Sequence, residues 1–381
     1  WCFDLQESNS GYICNSWHPA LQAIYNIDHG MRINKTKPCT IFTDCLKDTT
    51  LPIEKCALPG KTRIFSISPL QFTLECRRYF GDFMASFRSQ RLDLMHGIGI
   101  DVNSREWSDL LSRLLVMGDK VCVGDYSNFG PGLNATVAYE ACHIMCNWMK
   151  HYDTTDTKEQ NDNVRRIIVE ELVCSMHLAH DLIYYAPGGL PSGSPFTDIL
   201  NSIVNILYVL CAFIELTKLS PYDFNKYVCL YVYGDDLIMS LSDTICEIFN
   251  TKILSEWLAA YDIKFTDISK TGEIFKYKNI FECDFLKRRW TPHPYRPDVF
   301  LAPLDQISVE SPINWVNQKE LRRDRDVCLI QNCESALLNA FAHGETYFNN
   351  LKSKILHEFF LLNIKHVFKS WSEIDRMFYD R

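Results

Sequence analysis

What this chain lacks narrows its reading before any motif does. None of its 16 cysteines belongs to a Cys-x-x-Cys pair, and most lie in apolar runs, among them Cys122, Cys174, Cys211 and Cys229. That pattern speaks against the common zinc and dithiol frameworks and for reduced core thiols in a cytosolic compartment. Cys142, His143 and Cys146 fall at one-turn spacing, but no second half of a metal site accompanies them. No stretch is suited to a membrane span. The longest apolar run, residues 199–214, is interrupted by Asn201, Ser202 and Asn205 and reads as a buried helix. No secretory leader is visible, and the chain opens on Trp1 rather than Met, as expected of a processed product or a fragment. A net basic charge is also missing: 39 Lys and Arg stand against 47 Asp and Glu, a net −8, which argues against a uniformly basic nucleic-acid surface. Gly60-Lys61-Thr62 has the ending of a phosphate-binding P-loop, but the upstream glycine of that motif is replaced by Lys55, so the P-loop is excluded.

What is present begins with size. At 381 residues the chain can bury a large core and form two or three domains or subdomains. Its basic residues cluster: Lys47, Lys55, Lys61 and Arg63; Arg77, Arg78, Arg88 and Arg91; Lys287, Arg288 and Arg289; Arg322, Arg323 and Arg325. A channel lined by such groups is compatible with an acidic exterior, and a set of solvated faces fits them as well. The segment with the most chemistry is Tyr231-Val232-Tyr233-Gly234-Asp235-Asp236. Apolar runs 228–232 and 237–241 flank a Gly-Asp-Asp turn, the pattern of a β-hairpin with two carboxylates at its tip. Such a tip is either a solvated turn or a buried like-charge pair that needs a cation.

Three other segments carry chemistry-bearing residues. Val121 to Val123 runs as a short strand into Gly124-Asp125, before Gly130-Pro131-Gly132 and a helix expected over 133–151. A carboxylate there suits a metal ligand or a helix or turn cap. Residues 152–163 read as a polar surface loop and 164–180 as helical. Residues 62–67 alternate like a strand that places Lys61 and Arg63 on one face, a phosphate-binding pair or the protective charges of an edge strand. Ala186 to Ser194 is rich in glycine and proline, and Ser194-Pro195 reads as the cap and first position of a helix. Along that helix Asp198, Asn201, Ser202 and Asn205 form a polar stripe, which locks a core network or, the preferred reading, lines a ligand cavity. Phe285 to Arg288 reads as strand-like, residues 246–262 as helical, and residues from about 312 onward as a mostly α subdomain.

Taken in order from Lys47 to Arg288, these segments resemble the motifs of the RNA-dependent RNA polymerases of positive-strand RNA viruses, in particular the picornavirus-like enzymes of the dicistrovirus and iflavirus type. The resemblance implies an α+β, right-hand polymerase fold with an antiparallel palm sheet flanked by helices. It implies fingers over 1–82, short at the N-terminus, palm over 83–164, a fingers insertion over 165–190, palm again over 191–290 and thumb over 291–381. By the same resemblance Asp125, Asp235 and Asp236 hold two Mg²⁺ ions, with Mn²⁺ as a substitute, and Lys270 is a general acid. Lys47, Lys55, Lys61, Arg63, Ser192, Gly193, Thr197 and Asn201 contact the nucleotide, and Phe285, Leu286, Lys287 and Arg288 grip the primer strand. One departure stands out: many relatives have an aspartate five residues after the first catalytic one, where this chain has Gly130.

The activity implied is template-directed RNA synthesis from ribonucleoside triphosphates. The partners implied are RNA template and primer, possible use of a protein-linked primer, and other viral replication proteins, at membrane-associated replication complexes in the host cytoplasm. Two rivals fit parts of the pattern: a reverse transcriptase-like polymerase, which shares the Tyr-x-Asp-Asp hairpin, and a non-catalytic RNA-binding polymerase fragment.

Overall fold

The computed structural model describes residues 3–8, 11–49, 51, 53–266, 274–315 and 325–380. Contacts divide the chain into two compact units, one of residues 1–94, 126–211 and 233–235, the other of residues 95–125, 212–232 and 236–381.

The first unit is built on a four-stranded sheet in the order Ile64–Ile67, Ile41–Leu46, Ser175–Ala179, Leu182–Ala186. The two outer pairings are antiparallel and the central one is parallel. Helices Pro19–Ile33, Leu70–Ser89, Ala135–Tyr152 and Lys158–Val173 supply the packing layer. The last of these starts inside the stretch read as a polar loop. Asp153 gathers Thr155, Asn161 and Arg165 into a polar knot, and Arg165 reaches it at 2.7 Å. The helix also ends early. Lys37 donates to the carbonyls of Glu170 and Cys174 at its C-terminal end, and pairing with Ile41–Leu46 takes residues 175–179 into the sheet. Tertiary pairing thus overrides a helical pattern, as it often does for short apolar runs.

A buried ionic cluster ties helix Pro19–Ile33 to helix Lys158–Val173. Arg32 makes a two-pronged contact with Glu171, at 2.7 and 2.8 Å, and Thr40 donates to the same carboxylate. Glu75 lies 3.9 Å from Arg32 and 2.7 Å from His29.

The second unit has a sheet in the order Phe265–Thr266, Lys120–Tyr126, Asp236–Leu241, Val228–Tyr233, with Lys278–Asn279 also pairing with Lys120–Tyr126. On the far side of Val228–Tyr233, Val232 exchanges backbone hydrogen bonds with Met95 and Gly97, which covers that edge. Gly124 is required here: a Cβ at this position would stand 2.0 Å from the ring of Phe265. The indole of Trp107, on helix Arg105–Met117, stacks on Trp290 with centroids 4.6 Å apart. The helix expected over 246–262 is shorter, Thr251–Ala259, because Asn250 caps it by accepting from the Ile253 N–H. The mostly α C-terminal region comprises helices Arg325–Ala340, Glu345–Leu361 and Trp371–Tyr379 around Phe341, Phe348, Trp371 and Ile374. His293 and Arg296 both bind Asp375 and pin the last helix.

Replacing Glu171 with Ala leaves the fully buried Arg32 guanidinium with the more distant charges of Glu75 and Asp28. The expected loss is about 3 kcal/mol, the lower part of the range for breaking a buried pair. It should be seen as a fall in the urea midpoint at unchanged slope; an unchanged midpoint would count against the cluster's structural role.

Candidate active site

The Gly-Asp-Asp segment forms the hairpin read from the sequence. Strands Val228–Tyr233 and Asp236–Leu241 flank a two-residue turn, Gly234-Asp235. Gly234 has φ +62°, a conformation that favours glycine, while Asp235 is not in that region. The strand Asp236–Leu241 pairs with Lys120–Tyr126 in a register that sets Gly124 opposite Leu237. One step further along the same antiparallel register come Asp125 and Asp236. Asp125, one residue before the end of its strand, and Asp236, the first of its own, therefore stand opposite each other, with Asp235 next in the chain. Asp235 is exposed, and Asp125 and Asp236 are half-buried, so the tip meets solvent instead of being sealed in the core.

The turn is held from below by helix Thr197–Thr217. The Gly234 N–H donates to Ser202 Oγ at 2.8 Å. The Asn205 amide donates to the carbonyls of Gly234 at 3.1 Å and Asp235 at 3.4 Å, and its oxygen accepts from the Tyr126 hydroxyl at 3.1 Å. Ser202 and Asn205 are fully buried. Burial, then the charges of Tyr208 and Asp235, pushes the Tyr126 hydroxyl well above its ordinary range, so it stays a donor. Two members of the polar stripe are thus committed to the hairpin backbone and do not line a cavity. A third, Asp198, accepts from Arg88 at 3.0 Å. The fourth, Asn201, keeps a buried side-chain oxygen that has no hydrogen-bond partner among the described residues. Thr197–Thr217 is long and apolar enough to cross a bilayer by length and composition, but most of its apolar window is buried inside the protein.

The residues expected to meet the nucleotide fall into two groups. Lys47, Lys55, Lys61 and Arg63 are all exposed. The Lys47 N–H donates to the Arg63 carbonyl at 2.8 Å, which sets these two side by side, and Lys55 lies on the short helix Ile53–Cys56. Lys61 and Arg63 precede the strand that begins at Ile64, so the shared strand face expected for them does not form. Ser192 and Gly193 dock on that strand: Ser192 Oγ accepts from the Ser66 N–H at 3.2 Å, and Gly193 bridges to Ile67. The Thr197 hydroxyl lies 3.0–3.2 Å from the carbonyls of Pro191, Ser192 and Ser194, which share its one proton and shape the loop. The helix starts at Thr197, later than the expected Ser194 cap, because Ser194 Oγ accepts from the Phe196 N–H in a preceding turn. At Gly130 an added Cβ would meet only the Leu190 carbonyl, at 3.8 Å, so the site admits a side chain.

Phe285 to Arg288 is a tight hairpin turn, contrary to the strand-like expectation. Phe285 and Arg288 exchange both backbone hydrogen bonds, and Leu286 and Lys287 have φ of 55° and 59°. Phe285 is buried near Trp107. Arg288 donates to the Ala302 carbonyl at 2.6 Å and to Asn339 at 2.9 Å, while Lys287 is exposed at the tip. Lys270 lies outside the described residues, as do Arg322 and Arg323 of the last basic cluster. Cys142 and Cys146 are buried thiols pushed up by that burial, and His143 is exposed, so these three form no metal site. Among the described residues no three His, Cys, Asp or Glu side chains are grouped closely enough to hold a metal ion by themselves, Asp125, Asp235 and Asp236 included. Mg²⁺ does not need such a group: it is held by one or two carboxylates together with water and substrate phosphate, and the strand-end aspartates offer such hard oxygen donors. Sequence reasoning did not single out Tyr126; its position directly after Asp125 at the end of a buried strand was the available signal.

Comparison with known proteins gives consistent matches. The family model described as viral RNA-dependent RNA polymerase matches residues 16–359. The genome polyprotein of Deformed wing virus is 44% identical over 376 residues, 98% of this chain and 13% of that polyprotein. The replicase polyprotein of Cricket paralysis virus is 32% identical over 325 residues, 83% of this chain and 18% of the polyprotein. The chain therefore spans only a small part of these relatives. Among solved structures, the Sicinivirus 3Dpol RNA-dependent RNA polymerase superposes with a TM-score of 0.79 at 19% identity, covering 98% of this chain and 72% of that one. That likeness bears out the right-hand fold.

The turn at Leu286-Lys287 generates a stability prediction. Two consecutive left-handed residues without glycine or asparagine cost about 1 kcal/mol or more each. Leu286→Asn with Lys287→Gly, the favoured pair for this turn, should raise the denaturation midpoint by the equivalent of about 1–2 kcal/mol. A lowered midpoint would mean that Leu286 contributes more by packing than the turn loses in strain.

Proposed function

The chain belongs to the viral RNA-dependent RNA polymerases, and from that membership we propose that it extends an RNA primer on an RNA template using ribonucleoside triphosphates. The observation that carries this reading is the register that sets Asp125 opposite Asp236 on two paired strands, with Asp235 in a turn whose backbone is fixed by Ser202 and Asn205. Asp125, Asp235 and Asp236 hold the divalent metal. Bound Mg²⁺, or Mn²⁺, supplies positive charge to the attacking 3′-oxygen and the leaving phosphate. Lys47, Lys55, Lys61 and Arg63 offset the charge of the triphosphate. Lys287 meets the phosphates of the primer strand from the tip of its turn. Phe285, Leu286 and Arg288 hold that turn in place. Lys270 remains the proposed proton donor to the leaving pyrophosphate.

Ribose recognition falls to Asn201. Thr197 commits its hydroxyl proton to loop carbonyls and Ser192 Oγ accepts from the Ser66 N–H, whereas Asn201 has a buried oxygen with no hydrogen-bond partner among the described residues, able to accept from a 2′-hydroxyl. Gly130 carries no bulky gate against that hydroxyl, which favours a ribonucleotide polymerase over a reverse transcriptase. Residues 1–82 and 165–190 are assigned to fingers, 83–164 and 191–290 to palm, and 291–381 to thumb. Within an infected cell the enzyme works in the cytoplasm at membrane-associated replication complexes, with other products of its polyprotein and a protein-linked primer.

Primer extension on an RNA template with Mg²⁺ or Mn²⁺ tests this. The parent should extend, Asp235→Ala should not, and Asn201→Ala should lose about ten-fold or more of its preference for ribo- over deoxynucleotides, the equivalent of one hydrogen bond. Selection for deoxynucleotides by the parent would identify a reverse transcriptase. Salt-sensitive RNA binding without product at any metal concentration would identify a binding fragment.

A further inference from the structure

Behind the Ser192-Gly193 loop lies a buried polar row that the proposed chemistry leaves unused. Ser66 is its hub. The Ser66 N–H donates to Ser192 Oγ at 3.2 Å. Its carbonyl faces Gly193 so closely that a Cβ at residue 193 would stand 2.1 Å from the oxygen. Its hydroxyl turns the other way and donates to Asp44 Oδ1 at 2.6 Å. Asp44 is the cross-strand partner of Ser66. The Asp44 carboxylate also accepts from His177 Nδ1 at 3.0 Å and from the Tyr184 hydroxyl at 2.5 Å. His177 lies between the rings of Phe42 and Tyr184, with centroids 5.7 and 5.2 Å away, and its Nε2 is 2.8 Å from Ser175 Oγ. The row crosses all four strands of the sheet. The side chains of Asp44 and His177 are only 5% and 8% exposed.

Burying such groups is costly, and packing alone does not call for them. Burial works to raise the Asp44 carboxyl, but the hydrogen bonds from Ser66, Tyr184 and His177 outweigh it and hold the group below the ordinary aspartate value. The stabilisation this gives is present above that value and is lost as pH falls through the lowered one. At neutral pH Asp44 is therefore ionised and can only accept, which directs the Ser66 hydroxyl toward it and fixes the backbone of Ser66.

We propose that Asp44, Ser66 and His177 form a positioning cluster that sets the Ser192-Gly193 loop against the strand led by Arg63, and thereby tunes binding of the incoming ribonucleoside triphosphate. The proposal rests on the polymerase reading and on contact of that loop with nucleotide. None of the three touches the substrate.

The test measures KM and kcat for the nucleotide in primer extension, beside hydrogen exchange over residues 188–196. Asp44→Asn, Ser66→Ala and Ser192→Ala should each raise KM about five- to twenty-fold with kcat changed less than about two-fold, as expected when binding contacts are lost without loss of transition-state contacts. The Ser66→Ala/Ser192→Ala pair should be no worse than the stronger single variant, since both act on one contact. Exchange in 188–196 should quicken about ten-fold in Asp44→Asn and Ser66→Ala, with helix Ala135–Tyr152 unchanged. Unchanged loop exchange in those two variants overturns the positioning role, whether or not the protein extends primers. So does a lowered melting temperature with unchanged KM in Asp44→Asn. Quickened exchange with an unchanged KM in Ser192→Ala would instead overturn contact of the loop with nucleotide, and absence of extension by the parent would overturn the polymerase reading.

Discussion

Like charge at the ends of two paired strands is the constraint on which this structure turns. Directly opposed residues in an antiparallel pair have Cα atoms about 5 Å apart, and like charges at such positions are unfavourable. The chain keeps Asp125 and Asp236 there nonetheless, with Asp235 beside them. It leaves the tip open to solvent and fixes its backbone through neutral groups, the Ser202 hydroxyl and the Asn205 amide, with Tyr126 in support. The turn backbone is thus held by neutral donors and acceptors, the Ser202 hydroxyl and the Asn205 amide.

The same economy governs the loop at 188–196. Thr197 shapes it through three carbonyls, Ser66 anchors Ser192, and the absence of a side chain at Gly193 permits the close approach to the Ser66 carbonyl. The exposed cations Lys47 and Arg63 flank two paired strands of the same sheet and are joined by a backbone hydrogen bond.

Much of this was legible in the sequence, and the reasons are specific. The hairpin was readable because apolar runs flank a glycine that alone tolerates φ +62° comfortably. Asp125 was readable because a short apolar strand runs straight into it. The stripe on helix Thr197–Thr217 was readable as polar positions at helical spacing, but not its use: whether Ser202 and Asn205 face a ligand or a neighbouring backbone depends on a turn about thirty residues away in sequence. The turn at Phe285 to Arg288 was hidden because Leu and Lys are poor signals for left-handed backbone. The strand at Ser175–Ala179 was hidden because a parallel partner far away in sequence creates it. The Asp44 row was invisible for the same reason, since four strands contribute to it.

Whether the aspartates at the strand ends hold the catalytic cation is read most simply by following Mn²⁺ binding with electron paramagnetic resonance. The parent should bind Mn²⁺, and Asp125→Asn and Asp235→Asn should each lose most of that binding, with the fold retained by circular dichroism. Equal Mn²⁺ binding by the parent and both variants would contradict cation binding at these aspartates.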